Sequence, residues 1–178
     1  YKRQVPMLPE ALSNGICSLK PREDRLVMSA LMEMDADGET VDVEFCEGVI
    51  RSAERMTYTD VNKFLEGDAI MRAKYGERHD MLAAEFTRMR DLALKLNARR
   101  MKRGSIDFDL PEPVITLDAM GQMVSITRAE RNIAHRLIEE FMLAANEAVA
   151  TYFERCQTAA LYRVCLLYTS DAADEGLG

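Results

Sequence analysis

The chain has 178 residues, a net charge of −7, 48% hydrophobic and 30% charged residues. That balance belongs to an ordinary globular domain and excludes a disordered tail, a collagen-like repeat and a disulfide scaffold. The acidity argues against a nucleic-acid binder that works through its whole surface. No apolar run approaches the roughly 20 residues of a membrane helix and no signal peptide opens the chain, so a cytoplasmic location without a membrane partner is expected. The four cysteines, Cys17, Cys46, Cys156 and Cys165, have neither CxxC nor Cys/His spacing, so neither zinc nor disulfides are expected.

In chain order, the first residues already look foreign. Tyr1-Lys2-Arg3-Gln4 resembles a translated sequencing adapter, and so does the tail from Cys165, Cys-Leu-Leu-Tyr-Thr-Ser-Asp-Ala-Ala-Asp-Glu. One oligonucleotide accounts for both ends. The codons TAT AAG AGA CAG encode Tyr-Lys-Arg-Gln; their reverse complement, CTGTCTCTTATA, read one base on, encodes Cys-Leu-Leu and the start of a Tyr codon. Residues 1–4 and 165–178 are therefore expected to be non-native, and 5–164 an internal piece of a longer reading frame.

Val5 to Leu19 holds Pro6, Pro9, Asn14 and Gly15, which is turn chemistry, with a short helical turn at Pro9–Leu12. Leu26–Met34 and Thr40–Arg51 flank Asp35-Ala36-Asp37-Gly38, a β-hairpin pattern. Thr57 or Thr59 caps a short helix with Val61, Phe64 and Leu65, which Gly67 stops. From about Asp80 to Met101, Leu82, Phe86, Met89, Ala93 and Leu96 recur at helical spacing, with a basic end as the helix dipole favours, and Gly104 closes that helix. Val114–Leu117 and Gln122–Ile126 around Asp118–Gly121 read as a second hairpin. Thr127, with Glu130 three residues on, reads as the capping box of a long helix reaching about Phe153, and Leu161–Val164 as a last strand. The class is mixed α+β, β-hairpins alternating with long amphipathic helices.

On the last helix Ala134, Leu137, Ile138, Phe141, Ala145, Ala148 and Tyr152 form an apolar stripe. Asn132, His135, Glu139 and Asn146 line a separate polar stripe, which fits either a row of hydrogen-bonding groups along a cleft or a solvated face. His135 and Glu139 also fit a simple i, i+4 pair. Asp107 and Asp109 form a DxD beside prolines, more often a turn than a metal site. Phe108 between them fits a base-stacking platform or a strand's core residue, and Tyr58 a packed ring with a satisfied hydroxyl. The twelve methionines read as core filler. No P-loop, GxGxxG, HExxH or GxSxG is present, so nucleotide-dependent transfer and serine or zinc hydrolysis find no support.

Several blocks, in order, resemble the catalytic (RNB) domain of the ribonuclease II family, in its ribonuclease R branch. They are Met7-Leu8-Pro9-Glu10 with Leu12–Leu19 and Asp24-Arg25-Leu26; Glu47-Gly48-Val49-Ile50-Arg51-Ser52 with Thr57-Tyr58-Thr59; and Arg103-Gly104-Ser105-Ile106-Asp107-Phe108. The longest runs from Glu130 to Asn146 and contains Asn132, His135 and Glu139. The resemblance implies a piece of a processive, hydrolytic, Mg²⁺-dependent 3′-to-5′ exoribonuclease that releases nucleoside 5′-monophosphates from RNA. It implies a single-stranded RNA 3′ end as partner and a monomeric parent. Phe108 would stack on a base, and Tyr58 and Glu139 would contact the ribose, where the 2′-hydroxyl separates RNA from DNA. Asn132, His135 and Asn146 would support the channel wall.

Two departures follow. Ile133 stands where the ribonuclease R branch commonly has Asp. The family's metal-binding aspartate cluster and its arginine-containing motif fall outside the resembling stretch, and Asp107 and Asp109 do not replace them, since two-metal hydrolysis needs several clustered carboxylates. The piece alone is therefore expected to contain no catalytic residue and to be inactive, marginally stable or aggregation-prone. The alternatives are a non-catalytic RNA-binding or protein-interaction module of the same fold, and an α+β domain of unrelated role.

Overall fold

A computed structural model describes residues 6–105, 113–118, 120–128 and 131–162. The two terminal stretches read as adapter and the Ile106–Glu112 stretch holding Asp107, Phe108 and Asp109 lie outside these residues. After a short kinked helical segment at Ala11–Ile16, strands β1 (Asp24–Met34) and β2 (Thr40–Arg51) form an antiparallel hairpin. Its turn is built by Asp35, whose Oδ1 accepts from the amides of Asp37 at 2.9 Å and Glu39 at 2.8 Å, while Gly38 takes a φ of 78°. This is the aspartate-turn chemistry expected of the sequence. A register shift between Glu33 and Met34 precedes the turn. At the open end Asp24 and Arg51 close the ladder with a two-pronged ion pair, Nε–Oδ1 2.6 Å and Nη2–Oδ2 2.9 Å.

Three helices follow. Thr57 caps α1 (Tyr58–Glu66), its hydroxyl accepting from the Asp60 amide at 3.1 Å, and Gly67 ends it at φ 75°. A short α2 (Ala69–Tyr75), capped by Asp68, occupies a stretch that the apolar spacing leaves without an element. The long α3 spans Arg78–Lys102. Phe64 is the hub that joins them: its buried ring meets Tyr75 at 5.1 Å, His79 at 5.0 Å and Phe86 at 5.4 Å.

Strands β3 (Pro113–Leu117) and β4 (Met123–Arg128) form the second hairpin, around a turn with the same aspartate–amide bonding as the first. Asp118 Oδ1 accepts from the amides of Met120 and Gln122, both at 2.9 Å, and Gly121 has φ 80°. The final helix, α4 (Ile133–Arg155), packs against α3, α1 and the first hairpin, with Ala134 and Leu137 buried. Phe45 of β2 meets Tyr152 of α4 at 4.9 Å. The hairpin turn is also tied to α3, by Lys95 Nζ donating to the Ala36 carbonyl at 2.8 Å and by Arg99 reaching the Gly38 carbonyl and Glu39.

Three expectations are corrected. The cap of α4 is Asn132, not Thr127, because the β3–β4 ladder claims Thr127 opposite Val114. Leu161 and Tyr162 belong to no strand; the rest of that proposed strand lies outside the described residues. Ile138 and Tyr152 are each more than a third exposed, so the buried stripe of α4 is narrower than the apolar spacing implies. Among the described residues no helix is long and apolar enough to cross a membrane. Cys17, Cys46 and Cys156 carry free thiols.

Candidate RNA-contact surface

Two helix starts converge to make the surface. Thr57 fixes the first turn of α1, which places Tyr58 as its first residue with the ring half-exposed. Asn132 fixes the first turn of α4, accepting from the amides of Ala134 at 3.1 Å and His135 at 3.4 Å. The imidazole of His135 folds back on this cap, with Nδ1 2.8 Å from Asn132 Oδ1. The rings of Tyr58 and His135 then stack, centroids 4.0 Å apart and planes 23° apart. One turn further along α4, Glu139 presents a carboxylate that is 38% exposed. Guanidinium groups flank it on both sides: Arg131 Nη2 lies 2.7 Å from Oε2, and Arg100 Nη2 lies 3.8 Å from Oε1.

The next residue does the opposite job. Glu140 is buried, 3% exposed, between α4 and α3. Its carboxylate takes Arg100 Nη2 at 2.7 Å, Arg100 Nε at 3.2 Å and Asn97 Nδ2 at 2.7 Å. Arg100 spends its remaining arm on Ser105 Oγ, at 2.8 Å, where the chain leaves α3.

Tyr58, His135 and Glu139 are therefore brought onto one surface, with Asn132 beneath it as the cap of α4. Asn146 is exposed about 10 Å further along the helix axis, two turns past Glu139, and is not part of the cluster. Phe108 lies outside the described residues. Sequence reasoning missed Arg100, Asn97, Glu140 and Arg131. One signal was available: Glu140 lies three residues past Leu137, beside the edge of the apolar stripe, and a carboxylate buried there requires a cation.

This arrangement is suited to binding. It offers a flat stacked pair, a phenol, and an acceptor held by cations, and these suit a sugar or a base. Among the described residues no group of three or more His, Cys, Asp or Glu side chains is placed to hold a metal ion.

The fold and surface define an α+β module with a polar aromatic face built on two helix starts. The RNB domain family matches residues 1–175, and the chain belongs to that family. It is 43% identical to Ribonuclease R 1 of Lactococcus lactis over 162 residues, which is 91% of this chain and 19% of the relative. It is 44% identical to Ribonuclease R of Thermotoga maritima over 161 residues, covering 90% and 22%. Among solved structures, Mycoplasma genitalium RNase R in complex with ribose methylated single-stranded RNA matches with a TM-score of 0.84 at 30% identity, covering 96% of this chain and 26% of that one. The same enzyme in complex with double-stranded RNA gives 0.80 at 31% identity, covering 90% and 27%. A Candida glabrata exoribonuclease shares the fold, with a TM-score of 0.73 at 21% identity over 97% of this chain and 23% of that one. The chain thus spans about a fifth to a quarter of the length of these relatives.

Proposed function

We propose that this chain is an internal segment of a ribonuclease R-type 3′-to-5′ exoribonuclease, and that it supplies contacts to the RNA strand rather than the hydrolytic centre. The observation that carries this reading is the Tyr58–His135 stack with Glu139 one turn away, in a chain of the RNB family. Tyr58 and Glu139 hold the ribose near the 3′ end, the carboxylate accepting from the 2′-hydroxyl through lone pairs that Arg131 and Arg100 leave open. His135 braces the Tyr58 ring, and Asn132 braces His135. Phe108 stacks on a base; such stacking contributes about 1–3 kcal/mol and tolerates any sequence. The Mg²⁺ of the complete enzyme and the bond-breaking step are assigned to the family's aspartate cluster, which falls outside the stretch of resemblance. The segment alone is inactive, and the complete protein is a cytoplasmic monomer that releases nucleoside 5′-monophosphates.

The test uses the complete protein that carries this segment. It is supplied with two oligonucleotides that differ only in ribose or 2′-deoxyribose near the 3′ end. Tyr58→Ala and Glu139→Ala should each narrow the difference in degradation rate between them. Unchanged discrimination in both variants rejects the ribose role. RNA binding without Mg²⁺-dependent release of mononucleotides by the unmodified protein would make the chain part of a non-catalytic RNA-binding module instead.

A further inference from the structure

The pair formed by Arg100 and Glu140 needs an explanation that stability does not supply. A buried ion pair contributes little over an apolar pair of the same volume, yet removing one partner strands a charge. What such a pair does well is fix geometry. The guanidinium is a rigid plane of five donors, so anchoring one edge determines where the others stand. Here Nε and Nη2 are anchored on Glu140, which Asn97 holds from the same helix as Arg100. The anchored plane leaves Nη1 on Ser105 and Nη2 3.8 Å from Glu139 Oε1. Arg131 engages the other Glu139 oxygen. The half-exposed carboxylate is thus hydrogen-bonded from the entry to α4 and faces a guanidinium at ion-pair distance on the α3 side. That α3-side guanidinium belongs to a side chain that is only 12% exposed.

We propose that Arg100, locked by Glu140, is a positioning residue for sugar recognition: it holds Glu139 in the rotamer that meets the ribose. This rests on the ribose role assigned to Glu139 above. A lysine at this place has the charge but not the fork, and cannot serve Glu140, Ser105 and Glu139 together.

The experiment compares Arg100→Lys, Glu140→Gln and Glu139→Ala in the complete protein. The readout is the ratio of ribose to 2′-deoxyribose degradation rates, measured on one sample of each variant. Because both rates scale with the same folded fraction, the ratio is insensitive to partial unfolding. A purely structural role for Arg100 lowers both rates and leaves the ratio alone. Arg100→Lys should lower the ratio by about tenfold, within the range that small misplacements of positioning groups cause. Glu140→Gln, which preserves shape, should lower it in the same direction. Combining Arg100→Lys with Glu139→Ala should add nothing to Glu139→Ala alone, the signature of groups acting as one unit. If Glu139→Ala lowers the ratio and neither Arg100→Lys nor Glu140→Gln does, the positioning role is overturned while the ribose role stands. If Glu139→Ala itself leaves the ratio unchanged, the ribose role fails and takes this inference with it.

Discussion

Adjacent glutamates on α4 show how much a residue's meaning depends on its partners. Polar spacing put Glu139 on a stripe with Asn132 and His135 that fitted a cleft or a solvated face, and only the family resemblance singled it out. Glu140 went unnoticed, because a charge beside an apolar stripe reads as solvated until a cation 40 residues upstream, Arg100, is placed next to it. Glu140→Ala should destabilise the complete protein by about 3–5 kcal/mol in urea unfolding, since it leaves Arg100 buried without its anion. Glu140→Gln should cost clearly less. On the surface, the hydrogen bond from Arg51 holds the Asp24 carboxyl below its usual value of 3.8. A carboxyl depressed by folding contributes stability above its unfolded pKa and loses it as pH falls through the folded value. The thermal midpoints of the unmodified protein and Asp24→Asn should therefore differ slightly at pH 7 and converge below about pH 3.8.

At the scale of elements, both hairpins were legible because each is announced by an aspartate, a glycine three residues on and β-prone flanks. Asp35 and Asp118 make the same pair of amide contacts. The start of α4 was read five residues early. Thr127 and Glu130 have the letters of a capping box, but strand pairing won Thr127, and Asn132 with His135 formed the cap instead. Asn132→Ala should cost about 1 kcal/mol of stability, the usual worth of a side-chain cap. Thr127→Ala should leave the start of α4 unchanged by hydrogen exchange. Helix α2 escaped notice because only Met71 of its seven residues is buried, so no apolar period marks it. It is held through its last residue, Tyr75, in the Phe64 cluster, so Phe64→Ala should cost about 3–5 kcal/mol.

At the scale of the whole molecule, both hairpins leave apolar surface open among the described residues. Leu26, Met28 and Val49 share one face of the first hairpin and are each more than 60% exposed. Val114, Ile115, Met123, Val124 and Ile126 of the second hairpin are also exposed. Exposed strands with apolar faces are association-prone. The isolated 178-residue chain should therefore bind hydrophobic dyes and associate with rising concentration in sedimentation runs. Leu26→Lys with Val49→Lys should reduce both effects. A sharp cooperative melt with no concentration dependence would contradict this.

One consequence concerns insertions and deletions rather than substitutions. Successive α-helical residues are turned about 100° from each other, and Asn132 sets the angular origin for both glutamates. Losing one residue between that origin and position 139 would turn both carboxylates by about 100°, moving Glu140 off Arg100 into the outward place of Glu139, and Glu139 into the place of Ile138. Changing the length by a whole turn would come close to restoring both. Between 132 and 140, a change of chain length by one residue should therefore disturb this surface more than most single substitutions.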